Sequence, residues 1–234
     1  MPIFEPLFRD RGDAGRQLAA ALAPYRESQP VVLALPRGGV PVGFEIAKML
    51  GAPLEVLLVR KLGAPGHEEL GLGAVVDGHD PQLVLNEEVV RVVAPPPGYI
   101  EAEKRRQLAE IERRRKHYIG DRPPIPVNGR IVIVVDDGIA TGGTVKAALH
   151  GLARHHPARL VLAVAVAPAD TLRELAAECD DVVCLATPEP FYAVGPHYRD
   201  FRQTEDAEVV RLLAEARQWS PADDPLTKRR SADR

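Results

Sequence analysis

The sequence predicts an α/β protein: a mostly parallel, twisted sheet with flanking helices. Three observations carry that prediction. Short β-branched and aliphatic runs alternate along the chain with segments of helical period. The length, 234 residues, suits one domain with appendages. With 45% hydrophobic and 27% charged residues, 19 Gly and 22 Pro, the composition is that of a globular chain with a sizeable core.

The elements follow in order. A helix is expected over 13–24, then a buried strand over 31–35. A glycine turn leads into a helix over 41–50, with Val42, Ile46, Met49 and Leu50 at apolar spacing and Gly51 as its stop. The run 54–59 reads as the next strand, completing a βαβ unit with parallel pairing and a right-handed crossover. A glycine-rich loop is expected from Leu62 to Gly73, and 74–76 with 83–85 read as a hairpin closed by the four residues Asp77-Gly78-His79-Asp80. Strands at 131–135, 159–167 and 182–186 then alternate with helices at 144–155, 169–179 and 205–219.

One segment stands outside this alternation. Residues 97–120 read as a charged helical insertion, with Glu101/Arg105, Glu110/Arg114 and Glu112/Lys116 spaced for i,i+4 pairs. Its basic run Arg113-Arg114-Arg115-Lys116 is interleaved with acidic residues, which favours a solvated face bracing a partner subunit or a lid. The chain is thus expected to divide into a core over 1–186 that carries this insertion, a segment with a C-terminal helix over 187–219, and a disordered tail over 220–234.

Several function classes are disfavoured. The net charge of −3 gives no global basic field, which argues against nucleic acid as a partner. The longest apolar run, 160–167, is far short of the ~20 residues a membrane span needs, so no membrane association is expected. The first residues lack the pattern of a secretory signal, and a cytoplasmic location is expected. Cys179 and Cys184 are too few for a disulfide framework, do not have CxxC spacing, and read as small core residues.

The chemistry concentrates at 131–144. A buried strand delivers Asp136 and Asp137 at its carboxyl end, where open α/β sheets bind ligands. The small residues Ala140, Thr141, Gly142, Gly143 and Thr144 then run into a helix N-terminus, whose unpaired N–H groups and dipole form an anion cradle. Two carboxylates beside a phosphate cradle repel the phosphate unless they face hydroxyls or a hard cation such as Mg²⁺. A phosphorylated ribose with a metal-bound diphosphate satisfies all of these groups.

The stretch Asp136-Asp137-Gly138-Ile139-Ala140-Thr141-Gly142-Gly143-Thr144 resembles the 5-phosphoribosyl 1-diphosphate (PRPP) motif of type I phosphoribosyltransferases, a Rossmann-like fold. The likeness extends more weakly over 31–167. It implies that Asp136 and Asp137 hold the ribose hydroxyls and Mg²⁺, and that Ala140 to Thr144 hold the 5′-phosphate. By position, Arg37, Gly38 and Gly39 resemble the family's diphosphate loop, and Arg60 and Lys61 open a segment resembling its mobile catalytic loop, with Lys61 also on the diphosphate. Ala140 stands where the hypoxanthine/guanine branch has an aspartate, so the loop is closer to the adenine branch, and Glu68 and Glu69 are the candidates for that branch's glutamate near the base. Phe191, Tyr192 and Tyr198 are candidates for a hood that stacks on the acceptor.

The implied activity is transfer of 5-phosphoribosyl from PRPP to a nitrogenous base in nucleotide salvage, by a homo-oligomer. The alternative is a PRPP-sensing regulator without turnover; no helix-turn-helix pattern accompanies it. A Walker A loop fails because Thr144 replaces the lysine, and none of Ser28, Ser220 and Ser231 lies in GxSxG.

Overall fold

The computed structural model describes residues 5–219. The segment expected to be a disordered tail, 220–234, lies outside the described residues.

Helix α1 (Arg11–Ala21) starts at Asp10, whose side chain accepts from the Asp13 N–H. A 3₁₀ turn (Ala23–Ser28) leads into β1 (Val31–Ala34), α2 (Gly39–Leu50) and β2 (Leu54–Val56). Gly51 ends α2 in the left-handed conformation, φ +64°. After β3 (Val59–Ala64), β4 (His67–Val76), β5 (Gln82–Leu85), α3 (Glu87–Val93) and α4 (Tyr99–Ile119), the chain returns as β6 (Ile131–Asp136). Helix α5 (Gly143–Ala153), β7 (Arg159–Val166), α6 (Ala169–Leu175), β8 (Asp181–Ala186) and α7 (Asp206–Ala216) complete it.

The central sheet is parallel throughout, in the order β2-β1-β6-β7-β8. Strands β1, β2, β6 and β7 are buried on both faces and the edge strand β8 is half-buried, and their residues alternate between two cores. Val32, Ala34, Ile133, Val135, Val161 and Ala163 pack toward α1, α2 and α7. Val31, Leu33, Val132, Val134, Leu160 and Leu162 pack toward α5. The chain leaves β1 toward β2 on one side and β6 toward β7 on the other, so the strand order reverses between β1 and β6. That is where an open α/β sheet forms its crevice.

Four sequence expectations are corrected. The run 54–59 is not one strand: after Val56 the chain crosses at Leu57 and Leu58 into a second, antiparallel sheet, β3-β4-β5. The segment from Leu62 to Gly73 is not a loop but most of the β3–β4 hairpin, with register shifts beside Gly63. The β4–β5 connection runs over five residues, 77–81, since Val76 pairs with Gln82. Helix α6 ends at Leu175, short of Cys179, and α3 was not anticipated.

The insertion helix α4 also differs from a wholly solvated face. Arg115 is 7% exposed and bonds Glu55 on β2 and Asp77 after β4. Burial pushes both carboxyl groups above the usual carboxylate range, against the pull of the Arg115 charge. Tyr118 donates to Asp206 of α7 at 2.7 Å. Of the expected surface pairs Glu110–Arg114 forms, at 2.7 Å, beside Glu110–Arg113 and Glu103–Arg106. Both cysteines are free and half-buried.

Candidate functional site

The two loops that leave β1 and β6 emerge side by side, because Ala34 is in register with Val135. The β1 loop passes so close to the acidic pair that only glycine fits. A Cβ on Gly39 would lie 2.6 Å from the Val135 carbonyl oxygen, and one on Gly38 would run into the Asp137 carboxyl group. The Pro36–Arg37 peptide between them and the strand is cis.

The two aspartates have different surroundings. Asp136 accepts the Asp137 N–H at 2.9 Å, and burial together with the neighbouring charge of Asp137 pushes its carboxyl well above the usual range. Asp137 is paired with Arg11 of α1, Nε to Oδ2 at 2.6 Å, with both side chains 12% exposed. The Asp137 carbonyl accepts from the Tyr198 hydroxyl at 2.6 Å.

Beyond the pair, the Ile139 N–H donates to the Val166 carbonyl and fixes the loop to β7. Gly142 takes φ +74° and turns the chain into α5. The N–H groups of Thr141, Gly142, Gly143 and Thr144 find no acceptor among the described residues, while the Gly142 carbonyl already accepts from Lys146. A Cβ on Gly143 would meet nothing within 4 Å, so the turn opens outward there. A cavity of about 700 Å³, in the range of small-molecule sites, lies between this turn and the second sheet; Lys61, Gly71, Thr141, Gly143, Thr144 and Lys146 line it. A larger one, about 800 Å³, surrounds Glu55, Asp77 and Arg115 near the far end of α5 and does not reach the turn.

The cations expected at a diphosphate are each tethered. Arg37 lies 3.7 Å from Asp206. Arg60 donates to Gln107 of α4 at 3.0 Å, and Gln107 donates to Glu103. Lys61 reaches back across the hairpin to the Glu69 carbonyl, 3.7 Å from the Glu69 carboxylate. Glu68 and Glu69 are exposed near the hairpin tip.

Of the three aromatic candidates, Tyr192 is exposed and Phe191 stacks on His197 at 5.2 Å. Tyr198 does not fit a stacking role. It is 4% exposed, and its ring is packed between Phe8 and Phe201 at 5.2 and 5.0 Å, beneath the acidic pair. The segment that carries these aromatics touches the loop through Val194, which leaves no room for a Cβ on Gly138. Arg11, Gln107 and Asp206 were not singled out by the sequence, because each reaches the site from a distant element and carries no motif.

The sequence matches the phosphoribosyl transferase domain over residues 10–200. A relative from Mycobacterium tuberculosis, found in strains CDC 1551 / Oshkosh and H37Rv and provisionally named a phosphoribosyl transferase, is 52% identical over 210 residues, 90% of this chain. The chain spans about half the length of these curated relatives, 47%. The crystal structure of TT1426 from Thermus thermophilus is similar at 45% identity and a TM-score of 0.78, over 89% of this chain and 98% of that one. By domain match, sequence and fold together, this chain belongs to the phosphoribosyl transferase family.

Proposed function

We propose that the chain transfers the 5-phosphoribosyl group of PRPP to a nitrogen of a purine-like or other nitrogenous base, releasing diphosphate. One observation carries this reading: four consecutive N–H groups without a protein acceptor among the described residues, at the start of α5 and a few residues after two carboxylates. That combination suits a ligand with a phosphate at one end and hydroxyls next to it.

In this reading Ala140, Thr141, Gly142, Gly143 and Thr144 take the 5′-phosphate, and Asp136 and Asp137 accept from the ribose hydroxyls. Arg37, Lys61 and the N–H group of Gly38 take the diphosphate; the Gly39 N–H, expected to join them, already donates to the Leu35 carbonyl at 3.0 Å, so Gly39 serves only by its lack of a side chain. The bond from the ribose anomeric carbon to diphosphate breaks with its electron pair on the leaving oxygen. The base nitrogen forms the new bond, and its proton passes to the departing diphosphate or to solvent. Negative charge grows on the diphosphate, so Arg37, Arg60 and Lys61 act electrostatically at that end. Glu68 or Glu69 stands beside the base when the hairpin covers the site, and Phe191 and Tyr192 remain for contact with the acceptor.

The donor set fits Mg²⁺. Asp136 and Asp137 offer hard oxygens, and two carboxylates are what this ion takes when substrate phosphates and water complete its shell. When bound, Mg²⁺ neutralises charge on the leaving diphosphate. The experiment is diphosphate release from PRPP with a panel of purine and pyrimidine bases and a DNA duplex-binding control. Release with at least one base is expected. PRPP binding without release for any base would replace this reading with that of a PRPP sensor.

A further inference from the structure

Arg11 joins three parts of the chain at the acidic pair. Its Nε donates to Asp137 Oδ2 at 2.6 Å, its Nη1 donates to the Arg202 carbonyl at 2.7 Å, and its guanidinium carbon lies 4.0 Å from the centre of the Phe201 ring. One planar group thus fixes a carboxylate, a backbone carbonyl and an aromatic face, which a flexible ammonium cannot do at once. The same segment grips Asp137 from below: Tyr198 stacks on Phe201 and donates to the Asp137 carbonyl.

Two adjacent carboxylates repel each other, and Arg11 supplies the opposite charge that holds one of them in place. It does so through Oδ2 alone. Oδ1 takes no bond from Arg11, and a carboxylate with about four lone-pair sites keeps acceptor capacity for a ligand hydroxyl beside its contact with the Asp136 carboxyl group.

We propose that Arg11 is a positioning residue for the acidic pair: it orients Asp137 to receive a ribose hydroxyl and couples that carboxylate to the segment 198–202. The inference rests on the PRPP reading above. Arg11 touches no reacting atom; it acts through Asp137.

The test compares two affinities in one protein. PRPP with Mg²⁺ is titrated by calorimetry, and inorganic phosphate is followed through the amide resonances of Thr141 and Gly143, which do not involve Asp137. Arg11→Met is expected to weaken PRPP binding at least tenfold and leave phosphate binding within twofold. Arg11→Lys keeps the charge but loses the fork, and is expected to weaken PRPP binding at least fivefold with phosphate again unchanged; it carries the comparison alone if Arg11→Met does not fold. PRPP affinity within twofold of wild type in Arg11→Met, full restoration by lysine, or an equal loss of phosphate binding would each overturn the positioning role. Wild-type protein that binds phosphate but not PRPP would overturn the functional reading, and this inference with it.

Discussion

Asp136 and Asp137 are neighbours in sequence, yet Arg11 pairs directly with only one of them. Converting both to asparagine removes charge at the end of a strand without changing side-chain volume. The Asp136→Asn/Asp137→Asn protein is expected to stay folded and to lose Mg²⁺-dependent PRPP binding by at least tenfold in calorimetry; unchanged affinity would remove the pair from the site. The pair and the turn after it were legible because they are contiguous: strand, acids, small residues and helix start occupy fourteen letters, 131–144. Arg11 was not legible, being 126 residues from its partner. Tyr198 misled for a related reason. An aromatic in a Pro- and Gly-rich segment suggests a stacking surface, and only the packing of Phe8 and Phe201 shows its ring to be covered.

At the scale of elements, the alternation of short β-branched and aliphatic runs with segments of helical period located every strand of the central sheet, although the run 54–59 overran β2. The second sheet was harder to read. Gly63 and Gly73 suggest a flexible loop, but they mark close approach: a Cβ on Gly63 would lie 2.7 Å from Glu68 Cα, and one on Gly73 would strike the Val84 carbonyl. Helix α4 was legible as a charged helix but not as the partner of a buried ion triad. Arg115 faces two carboxylates, each less than a tenth exposed. Arg115→Met leaves both without a cation and is expected to cost about 3–5 kcal/mol in urea unfolding, partly recovered by adding Glu55→Gln. A loss below about 1 kcal/mol would show that the triad is not buried. The α4–α7 contact has a pH signature. Burial and the bond to Asp206 push the Tyr118 phenol up to about 12, against about 10 in an unfolded chain. Between these values the unfolded state releases a proton that the folded state keeps, so this contribution is complete below pH about 10 and lost as pH rises toward 12. Tyr118→Phe is expected to lose less stability over that interval, read from urea midpoints at each pH.

For the whole molecule, the strand reversal between β1 and β6 brings the acidic pair, the glycine loop and the start of α5 to one sheet edge. The parallel order followed from the alternation of elements, whereas the wrapping of α1 and the 198–202 segment around that edge depends on tertiary contacts that no local pattern encodes. The central claim is that this edge binds PRPP with its 5′-phosphate on the turn Thr141 to Thr144. Gly143→Asp tests it most directly, because open space at that position accepts the side chain and the change acts through charge. Calorimetric titration of PRPP with Mg²⁺ is predicted to show saturable binding to the wild type and at least a tenfold loss in Gly143→Asp at an unchanged melting temperature. No binding by the wild type, or equal binding by both, would contradict the account.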